Sequence, residues 1–329
     1  MKPDSAAQGA APSPVRLPLK RLLLVLGVVA TGYAAALLVW GESPRASLAR
    51  LFSPVGLQAA LLCLLNYGLR GLRWRLWMAR QGRHFGLLQG LRLYLAGYAF
   101  TPTPGNVGEA VRGLMLARQP LGARQSLAIF GAERLADLVC LLLLCLPAAA
   151  WAWEQGAVRH ALAGFAPFRG FTGFTACLLA AAAAAALWAL AALAGRRHAV
   201  LARLGWLRDA WDCLGHRPAL WLGLSLVAWA AQGLAMWLLC RDAGLALGLA
   251  TATGFYAVAM VAGALSALPA GLGGTEAVLT GLLVANGAAT ADALAVTVLT
   301  RLLTLWLAVA IGLLALLYSA AFAKEISLR

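Results

Sequence analysis

The sequence predicts an all-α polytopic membrane protein, with six full spans and two re-entrant broken hairpins arranged as an inverted repeat. Three observations predict it. Of 329 residues, 62% are hydrophobic and only 12% are charged, about half the charged share of a soluble chain. Several apolar runs reach about 18 residues, the length that crosses a hydrocarbon core as a helix. These runs are continuous and rich in Leu and Ala, without the alternation of barrel strands.

Six runs are long enough to be full spans: Leu22–Trp40, Val55–Leu69, Ser126–Ala150, Phe171–Ala194, Ala219–Cys240 and Ala293–Phe322. The first follows a polar, basic segment, Met1–Arg21, but is longer than a signal-peptide core and is expected to stay uncleaved. The membrane domain thus covers 22–322, with short tails at 1–21 and 323–329.

Two further apolar stretches contain helix breakers. Leu87–Ala117 is interrupted by Pro102, Pro104, Gly105 and Gly108, and Leu249–Ala285 by Pro269, Gly271, Gly273 and Gly274. Proline and glycine at these points divide each stretch into two short helices joined at a turn. Non-helical backbone at membrane depth is tolerated only where protein or a water-filled cavity satisfies it.

The basic residues set the orientation. With both termini in the cytoplasm, twenty of the 27 Lys and Arg fall in cytoplasmic segments and five in external ones. That bias follows the positive-inside rule, provided each broken stretch enters and leaves on one side. The net charge of +15 is then explained by topology, and no nucleic-acid partner is expected.

Both halves, about 22–150 and 171–322, run span, span, broken hairpin, span, in opposite orientations. Glu109 precedes the intraspan Arg134 by 25 positions, and Glu276 precedes Arg301 by the same 25; Asp137 corresponds to Thr304. Inverted repeats whose broken helices meet near the midplane mark transporter binding sites.

Charges within spans are expensive, so Glu133, Arg134, Asp137, Glu276 and Arg301, with Glu109 and Thr304, form the candidate substrate-binding and transport set. Arg134 is expected to pair with Asp137, and Arg301 with Glu276 or Glu109. A purely structural ion-pair network is the alternative. Glu109 and Glu276 also stand three residues after Asn106 and Gly273, where a Glu caps a helix. The run from Arg70 through Arg73 to Arg75, with Asn66 one turn before, is basic and aromatic. Asn66, Arg70 and Arg73 are candidates for recruiting a headgroup at the cytoplasmic face; a topology anchor is the alternative.

The six cysteines form no CxxC pair, and no metal site or cofactor is expected. The HExxH, GxSxG and Walker signatures are missing. An intramembrane enzyme or accessory subunit acting on lipid-linked substrates, with Glu109, Glu133 or Glu276 as acid or base, is the second functional reading after a lipid transporter.

At five places the chain resembles the lysylphosphatidylglycerol synthase transmembrane region, a flippase-like family. They are Asn66 to Trp74, Pro104 to Arg112, Glu133 to Asp137, Leu268 to Glu276, and Arg301 to Trp306. The resemblance covers most of the chain. It implies a bacterial inner-membrane flippase whose partners are a phospholipid or related lipid and a lipid-modifying enzyme. No aminoacyltransferase domain is carried over. Pro102-Thr103-Pro104 and Pro269-Ala270-Gly271 depart from the family's usual Leu-Pro-Gly and Pro-Gly-Gly turns.

Overall fold

The computed structural model describes residues 31, 48–103, 109, 110, 112, 121–156, 205–266 and 268–327. The expected spans Leu22–Trp40 and Phe171–Ala194, and the turn residues Pro104, Gly105 and Gly108, lie outside the described residues.

The principal helices are α1 (Pro54–Arg80), α2 (Leu87–Ala96), α3 (Ala123–Leu144), α4 (Leu146–Glu154), α5 (Gly205–Gly215), α6 (Pro218–Asp242), α7 (Leu249–Leu265), α8 (Gly274–Ala285), α9 (Thr290–Arg301) and α10 (Leu307–Ser327). Among the described residues, four segments are long and apolar enough to cross a membrane: Pro54–Arg80, Arg124–Glu154, Pro218–Asp242 and Thr290–Ser319. Helices α7 and α8, at 17 and 12 residues, are shorter and pack against each other. A 12-residue helix rises about 18 Å, well short of a hydrocarbon core of about 30 Å. The stretch from Leu249 to Ala285 is thus two helices joined at a turn.

Local chemistry sets the ends. The Ser53 hydroxyl accepts from the Gly56 N–H at 3.1 Å, with Pro54 at the first helical position, so α1 starts with a cap and a preset φ. It ends at Gly82 (φ 73°), where Gly82 N–H donates to the Ala79 carbonyl and Arg83 N–H to that of Met78. This is a Schellman stop, which needs the left-handed residue that glycine supplies.

The same stop recurs 162 positions later. Gly244 has φ 76°, its N–H donates to the Arg241 carbonyl, and Leu245 N–H donates to that of Cys240. Arg75 Nε donates to the Phe85 carbonyl at 2.8 Å; at the same offset, Trp237 Nε1 donates to the Leu247 carbonyl at 3.0 Å. A Cβ on Gly71 would lie 2.8 Å from Leu91, and one on the matching Gly233 would lie 2.5 Å from the matching Thr253. The crossings of α1 on α2 and of α6 on α7 are therefore built alike.

Helices α1 and α6 meet along most of their length. The Asn66 amide donates to the Ala228 carbonyl at 2.8 Å, Arg73 donates to Ser225, and Trp77 packs on Trp221 with centroids 5.4 Å apart. Numbers rise along α1 as they fall along α6, so the two helices are antiparallel. Asn66 and Ala228 are themselves 162 apart, so matched positions face each other where the helices cross.

The second expected span proves too short. It does not stop at Leu69: α1 continues to Arg80 and carries Arg70 and Arg73 inside the protein, where both are buried. Arg112 is buried as well. Three of the arginines counted as cytoplasmic are thus interior, because acids from α3 and the first turn neutralise them. Asn66 is buried too, and with Arg73 it is held away from any surface.

Candidate functional site

Helix α3 presents Glu133, Arg134 and Asp137 toward α1 and the first turn. Asp137 receives Arg70 at 3.0 Å, Arg73 at 2.8 Å and Arg134 at 3.4 Å. Glu133 lies 3.2 Å from Arg112 and 3.9 Å from Arg73. Glu109 is bonded to Arg112, accepts from the Thr101 hydroxyl at 2.9 Å, and stands 3.6 Å from Arg134. Aromatic faces back the cations: Arg112 sits 4.2 Å from the Tyr94 centroid, and Arg70 sits 5.2 Å from Trp229 and 6.0 Å from Tyr98. Rings there supply attraction without a formal charge.

A second, smaller pair belongs to the second turn. Arg301 Nε donates to Glu276 at 2.7 Å, and its Nη2 donates to the Ala270 carbonyl at 2.9 Å. The other Glu276 oxygen accepts the Gly273 N–H at 2.6 Å. Glu276 therefore caps α8 and neutralises Arg301 at once; capping and ion pairing are not alternatives here. Arg134 contacts Asp137, as its spacing predicts, but also Glu109. Both Glu–Arg pairs at the 25-residue spacing come together.

The turn that holds Arg301 is left-handed at three of four positions: Ala270 (φ 54°), Gly271 (φ 66°) and Gly273 (φ 83°). An L-residue with a Cβ is strained in that region by about 1–2 kcal/mol. Ala270→Gly should therefore raise the unfolding midpoint slightly or leave it level, since glycine also frees the unfolded chain, whereas Gly273→Ala should lower it. Thermal unfolding of the two variants in detergent checks both signs.

Directly after Arg301, residues Leu302–Trp306 form a π-turn. It frees carbonyls that an α-helix would use, and the Tyr67 hydroxyl donates to those of Leu303 at 2.7 Å and Thr304 at 3.1 Å. Such bulges gather at functional sites.

A cavity of about 350 Å³ joins the two clusters, within the size range of small-ligand sites. Arg70, Glu109, Arg134, Asp137, Arg301 and Thr304 line it. Glu133 is behind the wall, bracing Arg73 and Arg112. Glu276 reaches the cavity only through Arg301. At the second turn Ala270 and Gly271 line the cavity. Tyr67, Tyr98, Trp229, Gln232 and Tyr256 also line it, with Thr101 and Thr275; the aromatics and the lone Gln carry no distinctive spacing in apolar runs. Much of the rest is apolar, and Leu138, Leu265 and Leu268 of the lining are exposed, Leu265 at 60%.

The matched positions are not identical in charge. At the 162 offset Arg70 matches Gln232, and at the 167 offset that follows the turns Asp137 matches Thr304. Neutral groups thus stand at the positions that match the Arg70–Asp137 ion pair, with Tyr256 donating to Gln232 at 2.8 Å.

Fold and site together define an all-α, multi-pass membrane protein with buried charges around an interior cavity. The chain belongs to the family described as the lysylphosphatidylglycerol synthase transmembrane region, matched over residues 23–312. The match is to the family's transmembrane, flippase-like region. No curated protein and no solved structure matches the chain.

Proposed function

We propose that the protein moves a phospholipid or related lipid between the leaflets of a bacterial inner membrane, through the cavity between its two halves. The observation that carries this reading is the cavity itself: charged and apolar side chains share its lining, and three of its leucines, Leu138, Leu265 and Leu268, are exposed. Bare hydrocarbon does not solvate a phosphate. Charged side chains beside exposed leucines accept a headgroup while the acyl chains stay in lipid. The matched stops, crossings and Glu–Arg pairs support an inverted repeat of two re-entrant hairpins and six spans, over about 22–150 and 171–322 within a domain at 22–322. Rocking of such halves exposes one site to alternate leaflets. Each carboxylate of the two clusters is engaged by a guanidinium, which favours transport over acid–base chemistry. The lipid-modifying enzyme whose product is moved is the partner this role requires.

Purified protein in liposomes should accelerate transbilayer movement of a labelled phospholipid. Glu109→Gln and Glu276→Gln should slow that movement about tenfold or more while leaving most of the protein folded; the amides keep the side-chain shape but remove the charge that neutralises Arg134 and Arg301. Wild-type protein that moves no lipid in a panel including aminoacylated and polyprenyl lipids would defeat the transport reading.

The proposed orientation has both termini in the cytoplasm. Cysteines substituted for Arg45 and Arg159 should label from outside sealed cells, and one replacing Arg203 only after permeabilisation. External labelling at 203 would reverse the topology.

A further inference from the structure

The two clusters together hold five guanidiniums, those of Arg70, Arg73, Arg112, Arg134 and Arg301. Against them stand four carboxylates, those of Glu109, Glu133, Asp137 and Glu276. Asp137 serves three arginines, and Glu109 and Glu133 serve two each. Glu276 serves Arg301 and the Gly273 N–H. The chain has only 12 acidic residues. Asp209 and Asp242 pair with Arg124 and Arg50, while Glu154, Asp212 and Asp292 are exposed. Asp4, Glu42 and Glu325 stand outside the candidate spans and turns. Among the described residues, no spare carboxylate lines the cavity to receive an ammonium group. Two of the aromatic faces that could substitute for one, Tyr98 and Trp229, already carry Arg70.

The least satisfied group is a cation. No hydrogen bond joins Arg134 to any described residue; its Nη2 reaches Asp137 and Glu109 only as ion pairs, and its Nε has no partner. Its side chain is 29% exposed, whereas those of Arg70, Arg73, Arg112 and Arg301 are at 8% or below, and it lines the cavity. A guanidinium in that state matches a phosphate oxygen pair, which returns its missing hydrogen bonds and cancels the surplus charge.

We propose that the cavity selects a lipid whose headgroup is a phosphate ester with no compensating amine, and that Arg134 takes the phosphate oxygens. This rests on the transport reading for its biological use, but binding is measured apart from transport. An amine-bearing headgroup brings a cation to a site with no free anion, so it is disfavoured.

Full-length protein in detergent is exposed in turn to phosphatidylglycerol, phosphatidylethanolamine and an aminoacylated phosphatidylglycerol, with inorganic phosphate as competitor. Retained lipid is read by native mass spectrometry. Phosphatidylglycerol should be retained about tenfold over either amine lipid. Arg134→Gln should bring that ratio close to one with little change in the unfolding midpoint, and Arg134→Lys should recover part of it. Equal retention of the three lipids, or preference for an amine lipid, overturns the selectivity. A ratio unchanged in Arg134→Gln overturns the assignment to Arg134. Inorganic phosphate that displaces phosphatidylglycerol at matched concentration overturns the lipid claim in favour of a free anion. Selective binding without lipid movement in liposomes leaves this proposal standing and removes the transport reading instead.

Discussion

Asp137→Ala is expected to be the most damaging single substitution in the protein. Among the described residues, its carboxylate is the only acid within 3.0 Å of both Arg70 and Arg73. Removing it leaves Arg70 without a salt-bridge partner and Arg73 with Glu133 at 3.9 Å. Both guanidiniums are buried. Stranding a buried charge costs about 3–5 kcal/mol, a large share of a typical stability of about 5–15 kcal/mol. The variant should lose its monodisperse peak in detergent, or unfold at a much lower temperature than wild type. Asp137→Asn, which keeps the shape and one acceptor, should be milder. An unchanged unfolding midpoint for Asp137→Ala would mean that water already solvates the cluster.

The Arg301–Glu276 pair should show an asymmetric loss. Glu276→Ala removes the partner of a buried guanidinium and the acceptor of the Gly273 N–H together. It should cost about 3–5 kcal/mol. Arg301→Ala leaves Glu276 still capping α8 and partly exposed at 17%. It should cost less, about 1–3 kcal/mol. The double variant should be more stable than the sum of the singles suggests, since the second substitution removes a charge that the first left stranded. Unfolding of the four proteins in one detergent measures the cycle. Additive losses would show that the two side chains do not interact in solution, and a fully stable Arg301→Ala would make Arg301 incidental.

These effects depend on a division that runs through the protein. The class was legible in composition and run length, because a bilayer demands long apolar helices whatever their arrangement. The breakers at Pro269 to Gly274 were legible too, since proline and glycine act on their own backbone. The 25-residue spacing of each Glu–Arg pair came from the sequence, and the contacts followed, because a helical hairpin turn returns next to the helix that follows it.

What the sequence misjudged was depth. Arg70 and Arg73 resemble a cytoplasmic anchor, and Arg112 a cytoplasmic charge, when each is taken alone, since a charge in isolation belongs in water. Only tertiary packing brings Asp137, Glu133 and Glu109 against them and makes burial tolerable. Likewise the cavity's aromatic and amide wall, and the π-turn that binds Tyr67, depend on which helices face each other. The sequence by itself determined the membrane class, the breaks and the matched pairs, all set by local backbone chemistry and by the solvent. The tertiary structure alone decided which charges neutralise which, and so which one, Arg134, is left facing the cavity with its hydrogen bonds unmade.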